Sequence, residues 1–420
     1  MVPKGWSESY LGEVVTYKKG YAFNSSLYAE EGIRIVRISD TTRDSIHSDN
    51  PVFIAGGNVE GLEQYSLFEN DIILSTVGSR PHLLDSMVGK AVKVPRSAHN
   101  SLLNQNLVKL IPKKTKITNE YLFSMLKTKE FIQFISNLVR GNANQVSITL
   151  ADLFKYKFIL PSLPEQKKIA QILSTWDKAI SVTEKLLTNS QQQKKALMQQ
   201  LLSGKKRLLD ENGVRFSTEW EFKRISEIAT RVQRKNDAAE HPILTISSLS
   251  GFVRQDERYS RYMAGESVKN YILLKKGEFA YNKGNSKTYE FGCIFDLEAY
   301  EAGLVPHVYV CFRLKNGLSH RYFKYLFEAD YLKPQLGALV NTGVRNNGLL
   351  NIKPTEFMQT KVPVPCFEEQ ESIADMLYNS SRTIRVLQDK LACLKDEKKA
   401  LMQQLLTGKR RVKVDEAVAV

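Results

Sequence analysis

Two stretches of the chain share a pattern of apolar and polar positions that is typical of long helices. Alternating steps of four and three residues meet mostly apolar side chains in both stretches. A period of this kind, sustained over several heptads, indicates a coiled-coil seam and predicts long helices over residues 161–208 and 363–411. The seam positions are Ile169, Leu173, Ile180, Leu187, Leu197 and Leu201 in the first stretch, and Ile373, Leu377, Ile384, Leu391, Leu401 and Leu405 in the second.

The two predicted helices are copies of one another. KKALMQQLLSGKKR at 194–207 and KKALMQQLLTGKRR at 398–411 agree at twelve of fourteen positions, at an offset of 204 residues. The same offset aligns the pair Glu165 and Gln166 with Glu369 and Gln370. Loops tolerate changes of length more readily than packed helices do. The constant offset therefore marks an element of fixed length that occurs twice.

Each predicted helix carries signals for its start and its end. Ser162 and Glu165 fit a capping box, whereas the second copy has Cys366 at the serine position. Gly204 and Gly408 fit C-terminal caps. The basic runs that follow, 205–207 and 409–411, lie where cations complement the helix dipole, and contact with phosphate is the alternative interpretation.

The order of segments predicts how the helices pair. The region 213–362 begins where the first helix ends and finishes where the second begins, so both of those helix ends should lie near it. This predicts an antiparallel intramolecular coiled coil, with helices of about 40 residues or roughly 60 Å. Parallel pairing between two chains is the alternative. The predicted fold class is α/β, with two similar α/β domains, at 1–160 and 213–362, in a pseudo-twofold arrangement.

Both globular regions mix short strands with helices. The predicted strands are 33–39, 71–77 and 107–112 in the first region, and 278–283 and 307–314 in the second. Apolar residues spaced by three and four predict one helix over 119–139, and 319–332 is its counterpart in the second region.

Composition restricts the classes of function. The chain has 60 Lys and Arg against 45 Asp and Glu, a formal charge of +15, which favours a polyanionic partner such as nucleic acid. No apolar run approaches the roughly 20 residues that span a bilayer, and the opening residues lack the apolar stretch of a signal peptide, so we expect a cytoplasmic protein without a membrane partner.

Signatures of catalysis and of metal binding are missing from the sequence. The four cysteines form no CxxC pair and the six histidines no cluster, so no metal is expected. There is no GxxxxGK[ST] phosphate loop, no Asn/Asp-Pro-Pro-aromatic motif and no GxSxG elbow. We therefore expect no catalytic residue in this chain.

Polar and basic loops are the candidates for DNA contact. Asn, Gln and Arg match the edges of bases and Lys suits phosphate, although ordinary turn chemistry is the alternative for each residue. The candidates are Lys18, Lys19, Arg43, Ser79, Arg80, Asn142, Asn144 and Gln145 in the first region, and Asn282, Lys283, Asn285, Lys287, Arg345, Asn346 and Asn347 in the second.

The order of these segments resembles one protein family. Two variable regions are each closed by a Pro-x-x-x-Glu-Gln-x-x-Ile-Ala helix opening, PSLPEQKKIA at 161–170 and PCFEEQESIA at 365–374, and each long helix ends in LLxGK[KR]R. This arrangement resembles the specificity subunit of type I restriction-modification systems, over essentially the whole chain. The second opening departs from the first by having Cys366, Phe367 and Glu368 where the first has Ser162, Leu163 and Pro164.

The resemblance implies a noncatalytic reader of double-stranded DNA. Its two target-recognition domains would bind the halves of a bipartite, asymmetric site, and helix length would set the gap between them. The Glu-Gln and seam residues would then form the coiled coil and dock two methylation subunits. Restriction and translocase subunits would join them. Cofactors would belong to those partners, namely S-adenosylmethionine, ATP and Mg, with none in this chain.

Two other functions remain as alternatives. A self-contained nuclease would cleave DNA with magnesium and no partner. A coiled-coil scaffold for proteins would keep its partners at high salt, whereas DNA held by phosphate contacts is released as salt rises.

Overall fold

The computed structural model describes residues 2–43, 45–83, 87–139, 145–237, 240–258, 265–340 and 350–414. The chain divides into two compact units. Unit 1 comprises Met1–Thr183 with Lys390–Val420, and unit 2 is Glu184–Asp389. Each unit contains one globular region and a part of each long helix.

Unit 1 is built from short strands and helices around an antiparallel sheet. Its strands are β1 (Ser7–Tyr10), β2 (Val15–Lys19), β3 (Tyr28–Ala29), β4 (Ile33–Val36), β5 (Val52–Ile54), β6 (Ser66–Leu67), β7 (Ile72–Ser75), β8 (Val77–Gly78), β9 (Ala91–Lys93), β10 (Ser101–Leu103), β11 (Leu107–Pro112), β12 (Val146–Ser147) and β13 (Lys157–Leu160). Its helices are α1 (Leu11–Val14), α2 (Asn119–Met125), α3 (Lys129–Leu138), α4 (Leu150–Leu153) and the first part of α5 (Leu163–Leu201).

The core of unit 1 lies on a four-stranded sheet in the order β2-β11-β7-β9. All its pairs are antiparallel, with Val108 opposite Lys19 on one side of β11 and opposite Leu74 on the other. A second sheet has the order β3-β5-β4-β10-β6 and contains the parallel pair β4–β10. The pair β1–β13 brings the start of the unit beside the strand that precedes α5.

The prediction of one helix over 119–139 was wrong. Thr118 caps α2 by accepting a hydrogen bond from the N–H of Tyr121, and Thr128 caps α3 by accepting one from the N–H of Phe131. The Thr128 hydroxyl also donates to the Met125 carbonyl at 2.8 Å. A threonine that bonds to the neighbouring backbone starts a second helix there, although the apolar spacing continues across the break.

Unit 2 repeats this plan. Its strands are β14 (Glu221–Arg224), β15 (Ala229–Arg231), β16 (Leu244–Ser247), β17 (Gly251–Arg254), β18 (Ile272–Lys275), β19 (Phe279–Asn282), β20 (Cys293–Asp296), β21 (Ala302–Val305), β22 (Val310–Leu314) and β23 (Lys361–Val364). Its helices are α6 (Ile225–Ile228), α7 (Gln255–Arg258), α8 (His320–Glu328), α9 (Lys333–Leu339), α10 (Pro354–Met358), the rest of α5 and the first part of α11 (Phe367–Leu406).

The two units share a core and differ outside it. In unit 2 the order β15-β22-β19-β20 matches the four-stranded sheet of unit 1, and the pair β14–β23 matches β1–β13. Unit 2 has the antiparallel pairs β16–β17 and β18–β21 where unit 1 has its five-stranded sheet. The predicted strands 33–39, 71–77, 107–112, 278–283 and 307–314 contain β4, β7, β11, β19 and β22. The shared core therefore carries different outer strands.

The long helices are antiparallel within each unit. In unit 1 the Trp176 ring N–H donates to Glu397 at 3.3 Å, and Arg411 binds Glu165 at 2.7 Å. Residue numbers therefore increase along α5 while the numbers of the contacting residues decrease along α11. In unit 2 Leu201 and Ile373 belong to one buried cluster. The predicted intramolecular antiparallel pairing is confirmed, and the parallel intermolecular alternative is not supported.

The seam is buried at its ends and half-buried in its middle. Ile169, Leu173, Leu201, Ile373, Leu377 and Leu405 are buried, whereas Ile180, Leu187, Leu197, Ile384, Leu391 and Leu401 are half-buried. Two paired helices cover each other on one side only, so the middle of the seam keeps some exposure. The globular regions complete the burial at the ends.

Candidate functional site

A buried glutamate joins both long helices to the globular region in unit 1. The Glu165 carboxylate accepts hydrogen bonds from the ring N–H of Trp6 at 2.9 Å and from Arg411 at 2.7 Å. The Arg411 guanidinium also lies 5.4 Å from the Trp6 ring centroid and donates to the Lys4 carbonyl. Glu165 opens α5, and Arg411 follows the end of α11. These three residues tie both helices to the first strand of the unit.

The same three residue types meet in unit 2. The Glu369 carboxylate, fully buried, accepts from the Trp220 ring N–H at 2.8 Å and from Arg207 at 2.6 Å and 2.8 Å. Arg207 lies 5.6 Å from the Trp220 ring centroid and donates to the Thr218 carbonyl. The hydrogen bond to Glu369 raises the pKa of Arg207 above its ordinary value, so this arginine stays charged. We call each set of three, Trp6–Glu165–Arg411 and Trp220–Glu369–Arg207, a Trp–Glu–Arg clamp.

A glycine at the end of each long helix turns the chain and so positions the arginine of each clamp. Gly204 and Gly408 have φ of +70° and +71°, the left-handed conformation that ends helices at glycine. A Cβ on Gly408 would lie 2.4 Å from the Pro3 side chain, and one on Gly204 would lie 3.4 Å from the Trp220 ring. The predicted C-terminal caps are confirmed. They turn the chain so that Arg207 and Arg411, three residues later, reach a glutamate.

The glutamine beside each glutamate forms hydrogen bonds with the backbone of the globular region. Gln166 accepts from the Thr118 N–H at 2.9 Å and donates to the Pro161 and Lys116 carbonyls. Gln370 accepts from the Ser319 N–H at 2.9 Å and donates to the Pro365 carbonyl. Each glutamine thus bonds the residue that caps the first helix after the sheet, Thr118 for α2 and Ser319 for α8. Glu165, Gln166, Glu369 and Gln370 are buried, and their hydrogen bonds shape the helix starts. Their predicted part in docking a partner stays a prediction.

The clamps explain part of each basic run. Arg207 and Arg411 bind carboxylates, which neither the dipole interpretation nor the phosphate interpretation anticipated. Lys205, Lys206, Lys409 and Arg410 are exposed. The predicted site residues omitted Trp6, Trp220, Arg207 and Arg411. The available signal was the recurrence of a tryptophan at the start of both regions and of an arginine three residues after each capping glycine.

The predicted DNA contacts of unit 1 lie in several environments. Lys18 donates to the Gln64 side chain and lies 5.3 Å from the Tyr65 ring centroid. Lys19, Arg43 and Gln145 are exposed, while Ser79 and Arg80 are half-buried and their polar groups have partners. Asn142 and Asn144 lie outside the described residues. The structure therefore leaves Lys19, Arg43 and Gln145 accessible to a ligand.

In unit 2 part of the predicted loop is used for its own turn. The Asn282 side chain accepts from the Gly284 N–H at 3.0 Å, and the Lys283 carbonyl accepts from the N–H of Leu350. Asn285 and Lys287 are exposed. Arg345, Asn346 and Asn347 lie outside the described residues. The Asn282 oxygen therefore serves the turn, and contact of this residue with DNA stays a prediction.

The Tyr65 ring beside Lys18 belongs to a small cluster of aromatic side chains that were not among the predicted site residues. Tyr21 is 40% exposed and its ring centroid lies 5.2 Å from that of Tyr65 and 5.0 Å from that of Phe23. A lysine and an exposed tyrosine on one aromatic cluster suit nucleic acid, since the cation binds phosphate and the tyrosine hydroxyl can donate to a phosphate oxygen. We call Lys18, Tyr21 and Tyr65 the Lys18 patch.

The fold and the clamps define a protein of two α/β domains on a duplicated helical frame. The sequence model of one protein family, the type I restriction modification DNA specificity domain, matches residues 3–189 of this chain. The chain is similar to the type I restriction enzyme MjaVIII specificity subunit of Methanocaldococcus jannaschii, with 26% identity over 438 residues, covering 98% of this chain and 94% of that protein.

Solved structures share the fold. One is a chain from a type I R-M system, with a TM-score of 0.56 and 16% identity over 98% of this chain and 100% of that chain. Another is the S subunit of the type-I restriction-modification system from M. genitalium, with a TM-score of 0.55 and 14% identity over 96% of each chain.

The chain is therefore similar, over nearly its whole length, to specificity subunits of type I restriction-modification systems. Within the part of the chain that the structure describes, no helix has the length and apolar character needed to cross a membrane.

We predict that Glu369→Gln lowers the free energy of unfolding by about 3 kcal/mol, because it leaves the partly buried Arg207 without its carboxylate. Urea denaturation followed by tryptophan fluorescence would measure the loss. Glu368→Gln is the matched control, since Glu368 is its exposed neighbour and should change stability by less than about 0.5 kcal/mol. Equal effects of the two variants would show that the clamp adds nothing to stability.

Proposed function

We propose that this chain is a type I restriction-modification specificity subunit and that it reads a bipartite, asymmetric DNA site, with one half-site bound by each globular region. The duplication of the clamp supports this, because each region is attached to the same helical frame by the same three residue types. The different outer strands of the two units fit half-sites of different sequence. The net charge of +15 suits a DNA partner.

The chemistry of the assembly is proposed to come from partners. Two methylation subunits using S-adenosylmethionine would modify the site, and restriction and translocase subunits using ATP and Mg would complete the complex. The specificity subunit itself would hold no cofactor and catalyse no step. Its contribution would be to hold each methylation subunit over the base to be modified, which has to leave the duplex stack.

The repeated phrase at the helix ends supports a partner that binds in two copies. Leu201 and Leu405 are buried, so packing accounts for their identity. Lys195 matches Lys399, and Gln199 matches Gln403, yet all four are exposed. Exposed positions away from specific contacts tolerate substitution with little effect on stability. Their identity therefore favours one surface that is used twice, by two copies of one partner.

Helix length is proposed to set the gap between half-sites. Two domains that enter the major groove from one face of the duplex would place half-site centres about one helical turn apart, roughly 34 Å. About six to eight base pairs would then remain unread between them. Two linked readers raise each other's effective concentration, so two domains of modest affinity together specify a long site.

We predict that inserting one heptad after Lys185 and one after Asp389, which are equivalent positions of α5 and α11, lengthens the gap by about three base pairs. Seven residues add about 10 Å of helix, and a base pair rises about 3.4 Å. Methylome sequencing of cells carrying the assembled system would report the new motif directly.

In the control variant, the seven native residues after Lys185 and the seven after Asp389 are replaced by the same heptad sequence, so that the helices keep their length. That variant should keep the original gap. If the lengthened chain methylates sites with the original gap, the helices do not set the spacing, whatever becomes of DNA recognition itself.

We predict that Tyr21→Ala weakens binding of a duplex carrying the site by about tenfold, the loss of one hydrogen bond to phosphate, and that Lys18→Ala lowers the slope of log K against log salt by about one. Fluorescence anisotropy at several salt concentrations measures both. Tyr17→Ala is the matched control, because Tyr17 is exposed to a similar extent, 45%, and packs on Phe154 outside the Lys18 patch. Unchanged affinity and slope in both patch variants would remove the Lys18 patch from the DNA interface.

A further inference from the structure

Unit 2 contains a groove of about 700 Å³ beside the end of α5. Met198 and Leu202 of α5, Tyr331 after α8 and Ile384 of α11 form its apolar lining. The α5 wall of the groove belongs to the phrase that is repeated at the end of α11. The groove therefore lies on the surface that the repeat marks for a partner.

The rim of the groove is positively charged. Lys194 is neutralised by Glu328 at 2.6 Å and lies 5.3 Å from the Tyr325 ring centroid. Lys195 and Lys205 are exposed, and among the described residues neither has a carboxylate within ion-pairing distance. An apolar floor below two free ammonium groups suits an apolar side chain that is flanked by carboxylates.

The corresponding face of unit 1 has the same helical wall but a different globular wall. Lys399, Met402, Leu406 and Lys409 repeat the residues of α5. Counting from the capping residues Thr118 and Ser319, Lys127 stands where unit 2 has Glu328, and Glu130 stands where it has Tyr331.

The altered wall changes the charges on the helix. Lys398, the repeat of Lys194, turns to Asp177 of α5 at 2.5 Å. By this count unit 1 has the acidic and exposed Glu130 at the position that Tyr331 occupies in unit 2. The Glu130 carboxylate would repel an acidic segment of the partner. It would also offer less apolar surface than the Tyr331 ring for the partner's apolar side chain to contact.

We propose that the groove of unit 2 receives an apolar side chain flanked by acidic residues of the methylation subunit, and that the two docking sites are unequal. The copy docked on unit 2 binds first and more tightly. This inference rests on the proposed function, since it specifies how the two copies of one partner are held. The shared helical wall gives both copies the same orientation, and Tyr331 gives one of them additional affinity.

The test titrates the full chain with the methylation subunit of the same system by isothermal titration calorimetry, with native mass spectrometry to count bound copies. We expect two steps whose dissociation constants differ by about tenfold to a hundredfold, the range that corresponds to burial of one further apolar side chain. Tyr331→Ala should weaken the tighter step by about tenfold. Glu130→Ala, its matched variant in unit 1, should leave that step unchanged.

A second pair of variants does not depend on the groove keeping its shape. Lys195→Glu and Lys399→Glu change exposed, equivalent residues of the repeat. The first should weaken the tighter step and the second the weaker step. This pair decides the question if Tyr331→Ala disturbs folding of unit 2.

The outcomes separate the two proposals. Two equal steps that are insensitive to both Tyr331→Ala and Lys195→Glu would overturn the groove while leaving the docking of two methylation subunits intact. Absence of any binding to the unaltered chain would overturn the proposed docking, and the groove with it. Two unequal steps with the variant effects above would support both.

Discussion

A buried carboxylate held by an arginine and a tryptophan is the interaction on which the structure depends. Glu165 and Glu369 are almost wholly buried, and a buried charge is strongly destabilising unless it is paired and hydrogen-bonded. Each finds its arginine beyond the end of the other long helix and its indole N–H at the start of the globular region. The requirement to pair these groups fixes the register of the helices and brings three distant parts of the chain together.

This requirement explains why the sequence repeats where it does. A clamp needs a glutamate one turn into a helix, a glycine with positive φ at the end of the other, and an arginine three residues later. Those positions recur at a constant offset, whereas the region between the helices is free to change. Unit 1 carries a five-stranded second sheet and unit 2 two strand pairs on the same four-stranded core. The helix contacts therefore stay constant between the two units while the outer strands differ.

The long helices could be predicted because their signal is periodic and their order along the chain leaves one compact arrangement. The break at Thr128 could not, because the apolar spacing of 119–139 continues through it and only a local hydrogen bond ends α2. The clamps were missed because their partners are 149 to 246 residues apart. Among the DNA candidates, the sequence could not show that Asn282 accepts a hydrogen bond within its own turn or that Tyr65 lies beside Lys18. Both depend on how the loops fold.

The most direct test of the clamp is a double-mutant cycle between Glu165 and Arg411, measured as free energies of unfolding for Glu165→Gln, Arg411→Met and the double variant. Two groups in direct contact should show a coupling energy of about 1 to 3 kcal/mol, even though 246 residues separate them in sequence. Effects that add, with no coupling beyond experimental error, would mean that the end of α11 does not bind the start of α5. The antiparallel pairing of α5 and α11 in unit 1 would then be contradicted.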